Sequence, residues 1–234
     1  MALVYKGYDV VDGVDGNATP LSGTVTVPTG TTYVMALTQA GDDLGQPDTT
    51  SITLDGDDMS SIGAQSDGSL ASLPTTMEMF DLEDPTTGDV TCSVAYNLPP
   101  FTAYIALLFF SGEHATTPTE GFKTSTGTGT AVNLGVTTTT NSGDIIVGHV
   151  LANVAGLGDI SSSDTEILEV IGTTGADIVI AVAKEDITGS GAEVNFTLGS
   201  SADWRGQAAV IKAAATGGIS IPVVRNHLRN QGIA

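Results

Sequence analysis

The chain has 234 residues, of which 27 are acidic and seven are basic, so its formal net charge is -20. Such a surface repels a phosphate backbone, which argues against nucleic-acid binding. The hydrophobic content of 41% is enough for one substantial core, and the single cysteine, Cys92, excludes an intrachain disulfide and a thiolate metal cluster.

Short apolar or alternating runs, separated by turns rich in Gly, Thr and Asp, dominate the sequence. Almost no stretch has the period of an amphipathic helix, and the turn spacing is typical of a sandwich or barrel. We therefore predict an all-β fold, an antiparallel two-sheet β-sandwich. The residues expected in its core are Ile105, Leu107, Phe109, Ile146, Ile178, Ile180, Phe196 and Val210. The predicted strands are, in chain order, Thr24–Val27, Thr32–Thr38, Ser51–Leu54, Thr76–Leu82, Val90–Tyr96, Ala103–Phe110, Val132–Thr138, Asp144–Leu151, Ile167–Ile171, Asp177–Ala183, Glu193–Leu198 and Gln207–Lys212.

Three longer stretches, 65–74, 113–130 and 153–164, are predicted to be irregular crossings, which favours Greek-key wiring over a simple meander. Within the second, the low-complexity run Lys123–Thr130 is predicted to be an exposed loop or a strand entry. The Asp55-Gly56 pair between apolar residues predicts a tight primed hairpin turn.

The two ends of the chain differ from the body. We expect residues 1–21 to form an N-terminal arm or edge strand, 22–215 the sandwich and 216–234 a C-terminal arm. A Gly217-Gly218 hinge precedes an extended apolar run and a small basic cap with two of the three arginines. The arm residues predicted to contact a partner are Ile219, Ile221, Pro222, Val223, Val224, Arg225, His227, Leu228 and Arg229.

No membrane segment is predicted. The first residues lack the apolar core of a secretory signal, and the most apolar run, Ala103–Phe110, is too short to span a bilayer as a helix. We expect a product that is made in the cytosol and has no membrane partner.

Histidine and cysteine do not predict a metal site. His114, His149 and His227 lie in separate segments without zinc-ligand spacing. We expect His149 to be a strand residue with a satisfied ring, and Cys92 to pack on the apolar face of a strand.

Acidic clusters have two interpretations. Asp42-Asp43, Asp55–Asp58 and Asp81–Asp84 could ligate calcium, but aspartate is also common in turns, which is the favoured reading. Three carboxylate pairs could serve glycoside hydrolysis or simply be solvated surface charge, which we favour: Glu166 with Glu169, Glu113 with Glu120, and Glu185 with Asp186.

No sequence motif indicates catalysis. A nucleophile elbow, a His-Glu-x-x-His motif and a phosphate-binding glycine loop are all missing, so no catalytic residue, cofactor site or metal site is predicted. Trp204 could be a sugar-stacking platform, but the apolar strand that follows favours a place at the edge of the core.

The order of several segments resembles a known family. It runs from the Ser51–Met59 hairpin through Met77–Phe80, Pro85–Val94 and Ala103–Gly112 to Ser142–Val147 and Trp204–Lys212. This order is similar to the jelly-roll modules of virion proteins from tailed bacterial and archaeal viruses and of some bacterial surface proteins. The C-terminal Ile221–Gln231 segment resembles the short basic closing segments of marine-phage structural proteins.

The resemblance implies a non-enzymatic virion protein, assembled in the host cytoplasm. The favoured role is a capsid decoration or cement subunit, anchored through its arms to capsid or other virion proteins, and homo-oligomeric with a trimer favoured. The alternatives are a tail or fibre component and a receptor- or carbohydrate-binding module.

Overall fold

The computed structural model describes residues 2–14, 20–42, 45–63, 66–70, 73–100, 102–153, 160–162, 164–171, 178–189 and 191–214. All regular structure in these ranges is β-strand, and every strand pair is antiparallel. The all-β class and the antiparallel sandwich architecture are confirmed. The predicted C-terminal arm, 216–234, lies outside the described residues.

Sixteen strands are present in the described part of the chain. They are β1 (Val4–Val14), β2 (Leu21–Val27), β3 (Tyr33–Gly41), β4 (Thr49–Leu54), β5 (Asp57–Asp58), β6 (Ser60–Ser61), β7 (Ser66–Leu70), β8 (Leu73–Glu83), β9 (Gly88–Tyr96), β10 (Thr102–Ser111), β11 (Thr119–Val136), β12 (Ile145–Asn153), β13 (Ile160–Ser162), β14 (Thr165–Ile171), β15 (Ile178–Asp186) and β16 (Ala192–Ile211).

The strands form three sheets in the described residues, one more than the two expected from the sequence. An outer sheet has the order β2-β9-β4-β5. The middle sheet has the order β1-β10-β3-β8-β6, with β7 also paired to β8. The third, bent sheet has the order β11-β16-β12-β15-β14, with β13 paired to β16. Jelly-roll connectivity stays a prediction.

The middle sheet is covered on both faces. Its odd-numbered β3 residues, such as Tyr33 and Met35, pack with Ile145 and Val147 of the bent sheet. Its even-numbered ones, such as Val34, pack against the outer sheet. All nine residues of β3 are buried, which is why the sequence reads there as a continuous apolar run instead of an alternation.

The bent sheet folds back over itself. Along β16, Ala202 pairs with Gly129 of β11, but Thr197 already pairs with Ala131, so residues 198–201 lie opposite Thr130 alone. This irregularity turns the first half of β16 across the face of its own sheet, where Val194 packs over Gly148. A third core fills the space between the two halves. The described residues thus form a stack of four β layers.

The low-complexity run is a strand, which corrects the prediction of a loop or strand entry and of a crossing at 113–130. Thr124 to Gly129 pair residue by residue with β16, from Gln207 to Ala202. Much of this part of β11 is exposed and consists of Thr, Ser and Gly. It therefore has no alternation of apolar residues from which a strand could be predicted.

The other two predicted crossings also contain strands. Residues 65–74 include β7 and the start of β8, and 153–164 include β13. The two predicted strands at 193–198 and 207–212 are parts of β16, which spans Ala192–Ile211. Short polar strands carry too little apolar signal to be found by pattern.

The predicted hairpin turn is confirmed. Asp55 and Gly56 both have positive φ, 55° and 89°, and they link β4 to β5 through the pair Leu54↔Asp57. This is the backbone that a two-residue primed turn requires, and glycine is favoured at its second position.

Most of the predicted core is confirmed. Cys92 is fully buried on the apolar face of β9, as expected, and burial raises the pKa of its thiol to about 12. Ile178 lies in β15, but its side chain is outside the described part. The expected core residues found buried are Ile105, Leu107, Phe109, Ile146, Ile180, Phe196 and Val210.

Candidate partner-binding surface

The clearest candidate surface is the outer side of β1, the edge strand of the middle sheet. In the described residues β1 pairs with β10 and with no other strand. Val4 and Tyr8, which are 49% and 46% exposed, belong to this strand. Their ladder partners, Ser111 and Leu108, place the two side chains on opposite faces of the sheet. An exposed strand edge with apolar side chains is a template for adding another chain.

A bulge interrupts this edge. Tyr5 pairs with Phe110 and Gly7 with Phe109, which leaves Lys6 without a counterpart in the ladder. Gly7 has a φ of 125°, a conformation that side-chain-bearing residues rarely adopt. A bulge and a lysine both discourage indiscriminate edge pairing, so any partner of β1 must match a defined shape.

The second half of β1 is held against the outer sheet. The Asp9 carboxylate accepts a 2.8 Å hydrogen bond from the Thr26 amide of β2, and Val11 packs beneath Gly23. The first half, Val4 to Tyr8, is therefore the more open part of the edge.

Apolar side chains continue from β1 into the gap between the middle and bent sheets. Four side chains are partly buried against the core between the middle and bent sheets, which we call the central core: Tyr5 and Val10 of β1, and Ile167 and Leu168 of β14. The Lys184 ammonium lies 5.6 Å from the centre of the Tyr5 ring. Burial, together with the nearby Tyr8, raises the pKa of Tyr5 to about 12. The entrance to the gap between the two sheets is thus apolar, with one cation at its rim.

The end of the described chain lies beside the start of β1. The Ala214 amide donates a 2.8 Å hydrogen bond to the Gly112 carbonyl. A Cβ on Gly112 would lie 2.2 Å from the Ala2 carbonyl oxygen, so Ala2 packs directly on this glycine. The sequence that follows Ala214, which contains all nine predicted contact residues, lies outside the described part.

The sequence pattern did not indicate Val4 or Tyr8 as candidate surface residues. The bulge at Lys6 shifts the phase of side-chain alternation within β1, so its apolar residues do not follow a single period of two. The sequence predicted only that residues 1–21 form an N-terminal arm or edge strand.

Lys212 and Asp144 form a buried ion pair at the end of β16. Lys212, whose pair with Asp144 the sequence did not indicate, also donates to the Thr139 carbonyl at 2.7 Å. Burial alone raises the pKa of Asp144, but hydrogen bonds from Lys212, Asn141 and Ala213 outweigh it and hold that pKa below its ordinary value. The pair joins β16 to the entry of β12.

A second polar group connects the middle and bent sheets. Tyr33 donates a 3.0 Å hydrogen bond to the Asp81 carboxylate, and the Thr119 hydroxyl bonds to both residues. Burial raises the pKa of Asp81, although the hydrogen bonds from Tyr33 and Thr119 lower it in part. Burial and the neighbouring Asp81 charge both raise the pKa of Tyr33, so its hydroxyl stays protonated.

His149 corrects one expectation. It is a strand residue, as predicted, but its Nδ1 atom has no hydrogen-bond partner among the described residues, so the ring is not fully satisfied. It lies opposite Gln207 in the central core and is 1% exposed. Burial lowers the pKa of His149 to about 3, which keeps the ring neutral.

Trp204 is a core residue, as expected. It is 9% exposed and lies over Gly127 of the neighbouring strand, where a Cβ would approach the indole to 2.6 Å. A ring used in this way is not available for stacking on a sugar.

The acidic clusters do not converge. Asp55 occupies the tight turn, and Asp57 and Asp58 are exposed in β5. Within the described residues, no group of three or more His, Cys, Asp or Glu side chains could hold a metal ion. No helix in the same ranges is long and apolar enough to cross a membrane.

No protein-family model matches the chain, and no curated protein or solved structure is significantly similar to it. The candidate surface therefore rests on its own geometry.

Proposed function

We propose that this chain is a non-enzymatic structural subunit of a tailed-virus virion, attached to its neighbours through strand edges and the C-terminal arm. The observation that carries the proposal is the open, apolar first half of β1, next to the point where the C-terminal sequence leaves the described structure. Proteins commonly bind extended segments by adding a strand to such an edge.

Two features of the body support a structural role. The described residues form four stacked β layers around three buried cores. Asp144 and Lys212, which are buried, and the half-buried Asp81 form contacts that hold elements together. The resemblance noted in the sequence supports the virion, with capsid decoration or cement as the favoured place.

The arm sequence fits an acidic neighbour. Residues 216–234 contain Arg225 and Arg229 and no acidic residue, whereas the whole chain has a net charge of -20. Electrostatic attraction then guides the arm to another acidic subunit, and a homo-oligomer, with a trimer favoured, is the simplest assembly.

The test is mass spectrometry of purified particles, which gives the copy number relative to the major capsid protein. We expect a fixed stoichiometric copy number. A chain truncated after Gly217 should remain soluble and lose most of its incorporation, whereas Thr126→Ala on the exposed face of β11 should be incorporated normally. Absence of the full chain from particles would refute the virion role, and normal incorporation of the truncated chain would refute anchoring by the arm.

A further inference from the structure

We propose that His149 and Gln207 form a binding site for one buried water molecule in the central core. The site consists of the Nδ1 atom of the His149 ring and the Oε1 atom of the Gln207 amide, on neighbouring strands of the bent sheet. Neither atom has a hydrogen-bond partner among the described residues. The site does not depend on the proposed virion role.

Strand register places the two side chains next to each other. His149 of β12 lies directly opposite Gln207 of β16 in the antiparallel ladder. The Cβ atoms of directly opposite residues are about 4.5 to 5.5 Å apart, and both side chains leave the same face of the sheet. A ring nitrogen and an amide oxygen that extend from such a pair are within reach of the same small molecule.

Both side chains face the middle sheet. The residues two positions away on the same strands, Val147 and Leu151 of β12 and Ala209 of β16, belong to the central core. Gln207 also reaches across the gap between the sheets, because its Nε2 atom donates a 2.8 Å hydrogen bond to the Met77 carbonyl of β8. That bond fixes the orientation of the amide and leaves its Oε1 atom to find another donor.

Burial makes an enclosed partner necessary. His149 is 1% exposed and Gln207 is 0% exposed, so bulk solvent does not reach their polar atoms. A buried polar atom without a hydrogen bond has lost its hydration and received nothing in return, and native proteins satisfy most such atoms with protein groups or with an internal water. Two polar partners, as His149 and Gln207 provide, are enough to hold a buried water.

A water molecule suits either tautomer of the ring. The Oε1 atom of Gln207 only accepts hydrogen bonds, whereas the Nδ1 atom of a neutral imidazole donates or accepts according to which nitrogen carries the proton. A direct bond between the two atoms therefore requires the proton on Nδ1. Water donates one hydrogen to Oε1, and it either donates its second hydrogen to Nδ1 or accepts the proton that Nδ1 carries.

The bound water extends a polar connection through the layers. It joins β12 to β16 at His149, and the Gln207 amide continues the connection to the Met77 carbonyl of β8. Hydrogen bonds have a defined geometry, whereas apolar contacts are non-directional. The connection therefore helps to fix the position of the bent sheet on the middle sheet.

The experiment is water-oxygen magnetic relaxation dispersion, which counts the water molecules that stay inside a protein for longer than it takes to tumble. The natural chain is compared with His149→Leu and Gln207→Met, each of which removes one partner of the water. Leu151→Met is the matched control, because it lies on the same face of β12 and exchanges one apolar side chain for another of similar volume. We expect His149→Leu and Gln207→Met each to lose one long-lived water, and Leu151→Met to lose none.

Three other patterns overturn the proposal. No loss in either variant shows that the two atoms hold no water, and a loss in only one variant shows that the water does not bridge them. A loss in Leu151→Met as well shows that loosening of the core releases the water, whichever residue is changed.

NMR of the natural chain provides a test that does not require a variant to fold. Water-selective spectra should show a cross-peak between a long-lived water and the His149 ring proton next to Nδ1. A scalar coupling between Nδ1 and the side-chain carbonyl carbon of Gln207, without a water cross-peak, would establish a direct hydrogen bond and refute the site.

Discussion

The Lys212 ammonium lies 2.6 Å from the Oδ2 atom of Asp144, a carboxylate whose side chain is 1% exposed. The other oxygen of Asp144 accepts the Ala213 amide at 2.9 Å, and Oδ2 also accepts the Asn141 amide. One carboxylate thus joins the end of β16 to the loop that leads into β12.

Removing one member of this pair should be costly. Lys212→Met leaves the Asp144 charge buried without its cation, and we expect the free energy of unfolding to fall by about 3 to 5 kcal/mol. Urea denaturation measures it. Lys184→Met is the matched control, because its partner Asp186 is well exposed, and it should cost about 1 kcal/mol or less. Similar losses in the two variants would contradict the role given to Asp144.

The first half of β16 and the second half of β11 form a ribbon that packs closely over the rest of the bent sheet. Two glycines make this close approach possible. A Cβ on Gly148 would lie 2.8 Å from Val194, and one on Gly206 would lie 2.6 Å from Leu134. We expect Gly148→Ala and Gly206→Ala each to lower the free energy of unfolding by about 1 to 3 kcal/mol through overpacking. Gly189→Ala, where a Cβ meets open space, is the control and should change stability little. Thermal melting compares the three, and an unaffected Gly148→Ala would mean that the ribbon packs less closely.

Acid should destabilise the fold through His149. Its pKa in the folded chain is about 3, against an ordinary 6.5, so between these values the unfolded state takes up a proton that the folded state refuses. The contribution of His149 to the free energy of unfolding is fully present above pH 6.5. Below that pH it falls by about 1.4 kcal/mol per pH unit, until the pH approaches 3.

Urea denaturation at a series of pH values checks this dependence. The lowered pKa of Asp144 acts in the same direction at more acidic pH, whereas the raised pKa of Asp81 acts in the opposite direction. The comparison is therefore between the natural chain and His149→Leu, whose stability should fall less steeply on acidification. Identical slopes would show that His149 titrates freely.

The core between the outer and middle sheets should be sensitive to loss of volume. Phe109 is 1% exposed there, and Phe109→Ala should cost about 3 to 5 kcal/mol. Tyr8→Ala, on the neighbouring strand of the same sheet but 46% exposed, should cost far less. Chemical denaturation distinguishes the two, and a loss below about 1 kcal/mol for Phe109→Ala would contradict the packing described for β10.

The sequence predicted the elements with a strong apolar signal and missed those without one. Ala103–Phe110 was recognisable because it is buried on both faces, and Asp55-Gly56 because the turn demands its chemistry. Residues around Thr126 form a strand by pairing with β16, a long-range contact that no local pattern records. The third sheet was missed for the same reason.

The candidate surface was harder to predict than the fold. Its exposed residues, Val4 and Tyr8, are recognisable only once β1 is known to pair on one side. The unsatisfied ring of His149 depends on the opposing layer, which sequence spacing does not place. The predicted arm contacts stay predictions.

The layered stack restricts where the protein can be altered in the laboratory. In β3 and β12 nearly every side chain lies inside, so fluorescent labels, affinity tags or surface charges have no place there. Strands of the outer sheet alternate instead: in β2, Thr24 and Thr26 are exposed, whereas Val25 and Val27 are buried. Those threonines are the positions at which a cysteine or an unnatural amino acid can report on assembly without disturbing the interior.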